Sequence, residues 1–370
     1  MYESLIKPFL FLFDPEFMHD SFVAIGQVLG AFPGGKQIVR MFCAYENPSL
    51  ETNVLGIGFK NPIGLAAGFD KDVRLTKIMP SVGFGFMEAG AVTRFPYGGN
   101  PGRRLVRLPE DRSIIVYYGL KNIGAAAIEK KISRLLPFKI PVGLNIAKTN
   151  HADIKGEKSV EDYVMTYRTL AEHFAYVTLN VSCPNAGDGR LFQDPQMLDS
   201  LLTAFAKEEK HGPIFLKIST DLTTQEVDVI LGIVQKYSFI DGFVIGNLVK
   251  RRDVLHMKSP ASRLDLLPQG GISGTPIKEL STNLIRHIYR RTNGKYVLIG
   301  LGGVFTAEDA YEKIKAGASL VQIITGLIYG GPTVVKRINQ GLVKLLAHDG
   351  YEHISEAIGV EANMIEAERN

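Results

Sequence analysis

The sequence predicts an α/β fold, a (β/α)8 TIM barrel with an N-terminal two-helix extension. Three observations predict it: the length of 370 residues, a βα alternation that recurs about eight times, and apolar runs too continuous for half-exposed strands. The length equally suits two domains of ~150 residues or one α/β barrel of ~250 residues with extensions, so the alternation decides. Short apolar or β-branched runs, each closing on or beside Gly, Asn, Thr or Ser, occupy Pro62 to Phe69, Phe84 to Val92, Pro141 to Ala147 and Tyr176 to Val181. They continue at Pro213 to Ser219, Gly242 to Gly246, Tyr296 to Leu301 and Leu320 to Ile324, with helical stretches between. Runs such as YVLIGLGG and LVQIITG match strands buried on both faces, which a parallel barrel requires. An open doubly wound sheet is the alternative.

Composition narrows the function classes. Apolar residues make up 45% and charged residues 22%, values of a folded soluble chain that exclude disorder, collagen and a multi-span membrane protein. The net charge is +4, and no basic run exceeds Lys250-Arg251-Arg252, so no nucleic-acid partner is expected. Two cysteines, Cys43 and Cys183, make neither a disulfide framework nor a paired metal site, and they suit the reducing, cytoplasmic side.

The chain opens with an apolar run, Leu5 to Phe13. It falls far below the ~20 residues of a spanning helix, and no small-residue cleavage site follows it. Asp14-Pro15-Glu16 reads as a helix start: an N-cap aspartate, a proline at the first helical position, and an acidic residue against the dipole. That helix runs to about Leu29 on an apolar face of Phe17, Met18, Phe22, Val23, Ile25 and Val28, and Gly30, Pro33, Gly34 and Gly35 stop it. Residues 1–35 thus form an amphipathic helical hairpin, 36–345 the barrel with an insertion around 93–120, and 346–370 a C-terminal tail. The insertion, rich in Gly, Pro and Arg, carries an alternating segment at Arg104 to Leu108 and is placed at the barrel mouth. The hairpin is either a cap packed on the core or an interfacial element dipping apolar side chains into a bilayer. Periodicity alone does not separate these.

In a barrel, functional groups belong at the C-terminal ends of the strands. Here Asn145 lies within strand three, Asn180 ends strand four, Asn185 follows on its loop, and Asn247 closes strand six. Asparagines converging on one point offer donors and acceptors to a flat ring with alternating C=O and N–H groups. Each taken singly is more commonly a turn residue. Lys71 follows strand one, and Lys217 lies inside apolar strand five, where an ammonium facing the barrel needs a polar or anionic partner. Glycines at Gly302-Gly303, beside Thr325-Gly326, and at Gly270 to Gly274, read as a loop, favour a phosphorylated cofactor after strands seven and eight. Cys183, directly after strand four, is placed to take a proton from a bound substrate. No metal site is expected, because no cluster of His or paired carboxylates stands at the strand ends.

In their order these pieces resemble the dihydroorotate dehydrogenase family of flavin-bound barrels. The resemblance covers nearly the whole chain through FDPExxH at Phe13 to His19, NPIGLAAGFDKD at Asn61 to Asp72, NVSCPN at Asn180 to Asn185, GGISG, GLGG and AGASLVQIITG. The hairpin and GFDKD are similar to the membrane-associated, quinone-using branch. The resemblance implies FMN-dependent oxidation of dihydroorotate to orotate in pyrimidine biosynthesis, with electrons passed to a quinone by a peripheral enzyme on the cytoplasmic side of a membrane. It implies that FMN lies among Ala67, Gly68, Lys71, Asn145, Asn180, Lys217, Gly246, Gly274, Gly303, Ile324 and Thr325. The last residues of that set, with Gly274 and Gly303, would surround its phosphate. Lys71, Asn180, Asn185 and Asn247 would hold the substrate, His19 and Arg107 would line the quinone path, and Cys183 would be the base. The chain departs from its branch at Cys183, where quinone-linked members have Ser, and at Val116, Leu248, Ala91, Gly246 and Ile324, where the family commonly has polar residues. A second reading is therefore a paralogous flavin oxidoreductase for another cyclic substrate. A third is a non-catalytic barrel that binds a phosphorylated ligand at the membrane surface.

Overall fold

The computed structural model describes residues 2–182, 192 and 194–363. Eight strands stand where the apolar runs lie: β1 Ile63–Leu65, β2 Phe86–Val92, β3 Val142–Ile146, β4 Tyr176–Asn180, β5 Ile214–Ile218, β6 Ile240–Ile245, β7 Val297–Leu301 and β8 Leu320–Ile323. Each pairs in parallel with its sequence neighbours, and β8 returns to β1 to close the barrel. Helices such as Glu157–Leu170, Thr224–Val234 and Lys278–Thr292 connect them on the outside. Two of the helix starts are capping boxes, Thr223 with Glu226 and Thr306 with Asp309, which satisfy backbone donors that the helix itself leaves open.

The lower barrel is a packed core. Phe86, Tyr176, Phe215, Val244, Ile299 and Leu320 fill it, joined by Val54 and Phe59 of a small antiparallel hairpin, Thr52–Val54 with Ile57–Phe59, that closes the N-terminal end. Room for these rings comes from glycines: a Cβ on Gly143 would lie 2.2 Å from Cζ of Tyr176, and one on Gly64 2.4 Å from Cζ of Phe86. Along β4 the inward positions change in character, from Tyr176 through Thr178 to Asn180 at the strand end. The polar site therefore begins one layer above a dry core.

The insertion forms its own antiparallel sheet, Leu105–Leu108 against Ser113–Val116. GGISG, expected as a loop, is instead the third strand of this sheet, Gly271–Gly274, paired to Ser113–Val116. Glycine is what permits it. Gly274 has φ +97°, and a Cβ there would sit 2.4 Å from the Arg112 carbonyl oxygen.

At the N-terminus, Asp14 caps the helix Pro15–Ala31 by accepting from the amides of Glu16 and Phe17 at 3.0 and 2.9 Å. The helix ends near the expected residues, but Pro33, Gly34 and Gly35 do not open a loop. Pro33 takes the first position of a further helix, Pro33–Cys43, as its fixed φ and missing N–H favour. Gly35 lets the two helices meet, since a Cβ there would lie 2.7 Å from the Leu29 carbonyl oxygen. One face of Pro15–Ala31 docks on the barrel: Val23 is buried with Leu75 and Ile78, and Glu16 pairs with Arg104 at 2.7 Å. The other face is bare, with Phe17 62%, Ile25 53% and Val28 57% exposed. The element thus caps the barrel with one face and leaves the other apolar and exposed. Among the described residues no helix is long and apolar enough to cross a membrane.

Candidate active site

A cavity opens at the C-terminal mouth, between the strand ends, the insertion sheet and the helix Pro15–Ala31. It encloses about 1240 Å3 of space free of protein, open mouth included. Ala67, Gly68, Lys71, Asn145, Asn180, Lys217, Asn247, Gly274, Gly303, Ile324, Thr325 and His19 all line it. Two of the positions singled out from sequence do not. The missing Cβ of Gly246 points at Thr220, 2.0 Å from its Cγ2, so this glycine serves packing beside the cavity. Arg107 lies outside it, donating from Nη1 to the Phe13 carbonyl at 2.8 Å and stacking on Phe11 at 4.6 Å. There it ties the hairpin turn to the insertion. Cys183 and Asn185 lie outside the described residues.

The floor is an array of amides. Asn247 stands two residues beyond β6, and its Nδ2 donates to Oδ1 of Asn180 at 3.3 Å and to Oγ of Ser182 at 2.9 Å. Asn180 Nδ2 donates to Oδ1 of Asn145 at 3.1 Å. Asn145 Nδ2 donates in turn to the Glu88 carboxylate at 2.7 Å. Register explains the convergence, because parallel pairing sets Asn145 opposite Thr178 and Asn180 opposite Lys217. Lys217 is only 4% exposed, so its ammonium sits at the cavity wall rather than in bulk water. Glu88, fully buried in β2, went unnoticed in the sequence. Its signal was there in FMEAGAV, one carboxylate in an otherwise apolar strand, the same anomaly that singled out Lys217.

One end of the cavity is built from glycine turns. Gly302, Gly303 and Gly274 have φ of +110°, +69° and +97°. A Cβ on Gly303 would come within 3.1 Å of the Gly274 carbonyl oxygen, so the two turns meet backbone to backbone. Ser273 and Thr325 share a hydroxyl hydrogen bond of 2.7 Å at the same place. Amides and hydroxyls with no side chain over them suit an anion.

Another part of the lining joins His19 of the helix Pro15–Ala31 to Lys71 and the insertion. Lys71 lies over the Tyr118 ring, Nζ 4.0 Å from its centroid, and 3.5 Å from Nε2 of His19. His19 packs edge-on against Phe69 at 4.9 Å. Burial, with the charges of Lys71, Lys121 and Arg74, pushes His19 down to about 3, so its imidazole is neutral throughout the physiological range. Burial, reinforced by Lys121, lowers Lys71 to about 8. Leu105, Ile114, Val116 and Ile328 complete this side with apolar surface. Among the described residues no group of three potential metal ligands gathers anywhere.

Comparison with known proteins agrees with this architecture. The family model described as dihydroorotate dehydrogenase matches residues 49–346. A protein of Trichormus variabilis named dihydroorotate dehydrogenase (quinone) is 39% identical, covering 98% of this chain and 99% of its own. One of the same name from Acidithiobacillus ferrooxidans is 36% identical over 97% and 99%. The ligand-free crystal structure of DHODH from Eimeria tenella superposes with a TM-score of 0.83 at 30% identity, covering 94% of this chain and 99% of that one. By sequence over its whole length and by fold, the chain belongs to the dihydroorotate dehydrogenase family.

Proposed function

We propose that this chain oxidises dihydroorotate to orotate with FMN as its flavin and passes the electrons to a membrane quinone. The observation that carries the reading is a single cavity with three unlike regions: an amide floor, a glycine-lined anion end, and an apolar side against the hairpin. A flavin mononucleotide has matching parts. Its ring carries alternating C=O and N–H groups for the amides, and its phosphate suits Gly274, Gly303 and Thr325. The space above Gly68 is open, with only Cδ1 of Ile324 within 4 Å of where a Cβ would lie, at 3.8 Å, so a flat ring can approach that backbone. When bound, the flavin supplies a two-electron acceptor for hydride. The chain's own groups do the rest: Asn180, Asn185 and Asn247 orient the substrate ring, Lys71 faces its carboxylate, and Cys183 takes the proton.

The test is the visible spectrum of the purified protein, followed by anaerobic dihydroorotate. A flavin band that bleaches supports the reading. A band that persists points to another cyclic substrate, and no band to a non-catalytic barrel.

Lys71 gives the reading a pH signature. With its pKa near 8, the ammonium is charged below that pH and neutral above it. Orotate affinity is therefore expected to be flat below pH 8 and to fall above it by up to about tenfold per unit. Lys71→Met should be weak and pH-independent across the same range. A wild-type profile flat to pH 10 would remove Lys71 from carboxylate recognition.

The bare hairpin face supports peripheral attachment to a membrane surface. Thirteen of the 20 large exposed apolar residues among the described ones fall between Leu5 and Phe42, a concentration that marks an interaction surface. Burying a Leu or Phe is worth roughly 1.5–3 kcal/mol, so Leu12→Glu with Phe17→Glu should weaken vesicle binding on the order of 100-fold or more. Turnover with a long-chain quinone in vesicles should fall with it, while flavin bleaching by dihydroorotate stays unchanged. Undiminished sedimentation with vesicles would reject the interfacial role.

A further inference from the structure

We infer that Glu88 is the positioning residue that fixes which way the site's amides face. An Asn or Gln side chain can be turned end for end at little cost in shape, so its orientation is decided by its partners. Glu88 decides two of them. Its Oε1 accepts from Nδ2 of Asn145 at 2.7 Å, and its Oε2 accepts from Nε2 of Gln322 at 3.0 Å and from Oγ1 of Thr178 at 3.0 Å. Tyr176 adds a longer contact to Oε2 at 3.4 Å, and burial followed by the Glu88 charge raises its phenol, which keeps it a donor.

Four donors thus converge on one carboxylate, and among the described residues no cation pairs with it. A carboxylate accepts only. Asn145 and Gln322 must therefore turn their NH2 groups toward Glu88 and their carbonyl oxygens away from it. The consequence propagates upward. Asn145 Oδ1 then accepts from Asn180, whose Oδ1 accepts from Asn247, and every amide in the array acquires a single direction. Gln322 Oε1 is left buried with no protein partner among the described residues, in a side chain that lines the cavity. Asn145, Asn180, Asn247 and Gln322 all line that cavity, so a carboxylate set below its lining fixes the pattern offered to the ring above.

This inference rests on the proposed function, and Glu88→Gln tests it. Glutamine keeps the size but replaces one accepting oxygen with an NH2, so Asn145 and Gln322 can no longer both point inward. One cavity-lining amide must invert. The variant is expected to fold and to bind orotate on the order of tenfold more weakly, the scale of one hydrogen bond turned from favourable to opposed. Its flavin absorption band should also shift. Tyr176→Phe is the control, because it removes the longest of the four contacts without turning an amide, and it should match wild type in orotate affinity and spectrum. Wild-type orotate affinity with an unshifted band in Glu88→Gln overturns the inference. So do equal losses in Glu88→Gln and Tyr176→Phe, which would mark general loosening of the core. If Glu88→Gln fails to fold, Glu88→Asp carries the test: it keeps an acceptor-only group, so a spectrum like wild type with orotate affinity within about threefold supports the inference, and a tenfold loss overturns it. Failure of the wild type itself to bind orotate or bleach would count against the proposed function, whereas differences among the variants report on Glu88.

Discussion

Gly303→Ala protein is expected to leave purification largely stripped of flavin while remaining folded. Gly303 lies in the loop after β7 at φ +69°, where a side chain costs roughly 1–2 kcal/mol in backbone strain alone. Space adds to the conflict, because the new Cβ would sit 2.4 Å from Cβ and 2.8 Å from Cα of Lys278. Cα belongs to the backbone of the helix Lys278–Thr292 and cannot swing aside as a side-chain tip can. The loop must therefore retreat, and it carries with it the amide that meets the Gly274 turn. A total conflict of about 2–3 kcal/mol corresponds to a flavin affinity some 30- to 150-fold weaker. Absorbance per chain and titration of the stripped protein with FMN measure it. Gly102→Ala is the matched comparison: its φ of +75° carries the same backbone strain, but nothing lies within 4 Å of the new atom and it does not line the cavity. Equal flavin occupancy in the two variants would dismiss the glycine cradle as the phosphate end.

The barrel was legible because its signal is redundant. Each of the eight strands is a mostly apolar run, interrupted only at single positions such as Glu88, Asn145 and Lys217, and the closed parallel sheet covers both faces. Elements whose identity depends on a distant partner were not legible. The hairpin Thr52–Val54 with Ile57–Phe59 has strands of three residues, too short for any period to register. Gly271–Gly274 looks like a turn by composition and becomes a strand only against Ser113–Val116. Pro33-Gly34-Gly35 has the composition of a helix stop, yet the proline starts a helix and Gly35 serves the crossing.

The candidate site divides in the same way. Asn145, Asn180 and Asn247 were visible as amides at strand ends, since the strands had been located and the barrel dictates where their ends point. Glu88 was not, because its partners Asn145, Thr178 and Gln322 stand 57, 90 and 234 residues away in the chain. Position along a strand tells that a side chain faces the barrel axis. It does not tell which inward-facing groups will share a hydrogen bond. Arg107 shows the limit of a resemblance, which implied a place on the quinone path but not its partners: the side chain bonds the Phe13 carbonyl and lies outside the cavity that His19 lines.

Replacing Cys183 with alanine should produce the largest kinetic effect of any single substitution in this chain. The sequence sets it three residues beyond Asn180, the last residue of β4, and one beyond Ser182, whose hydroxyl and carbonyl both accept from Asn247 at 2.9 and 3.2 Å. The chain is therefore anchored to the amide floor up to the residue before the thiol. Oxidising a saturated C–C bond in a ring requires a proton to leave one carbon as hydride leaves its neighbour, and a positioned base contributes typically about 10²–10⁴-fold to such a step. Cys183→Ala should slow flavin reduction by dihydroorotate by that factor, with flavin content and melting temperature close to wild type. Cys183→Ser should retain part of the rate and reach its optimum at higher pH, since an alcohol is a weaker acid than a thiol of pKa ~8.5 and yields its basic form less readily near neutrality. Stopped-flow absorbance without any quinone isolates the step, because the second half-reaction then cannot limit it. Alanine protein that bleaches at the wild-type rate would show that Cys183 is not the base and that the proton leaves to another group.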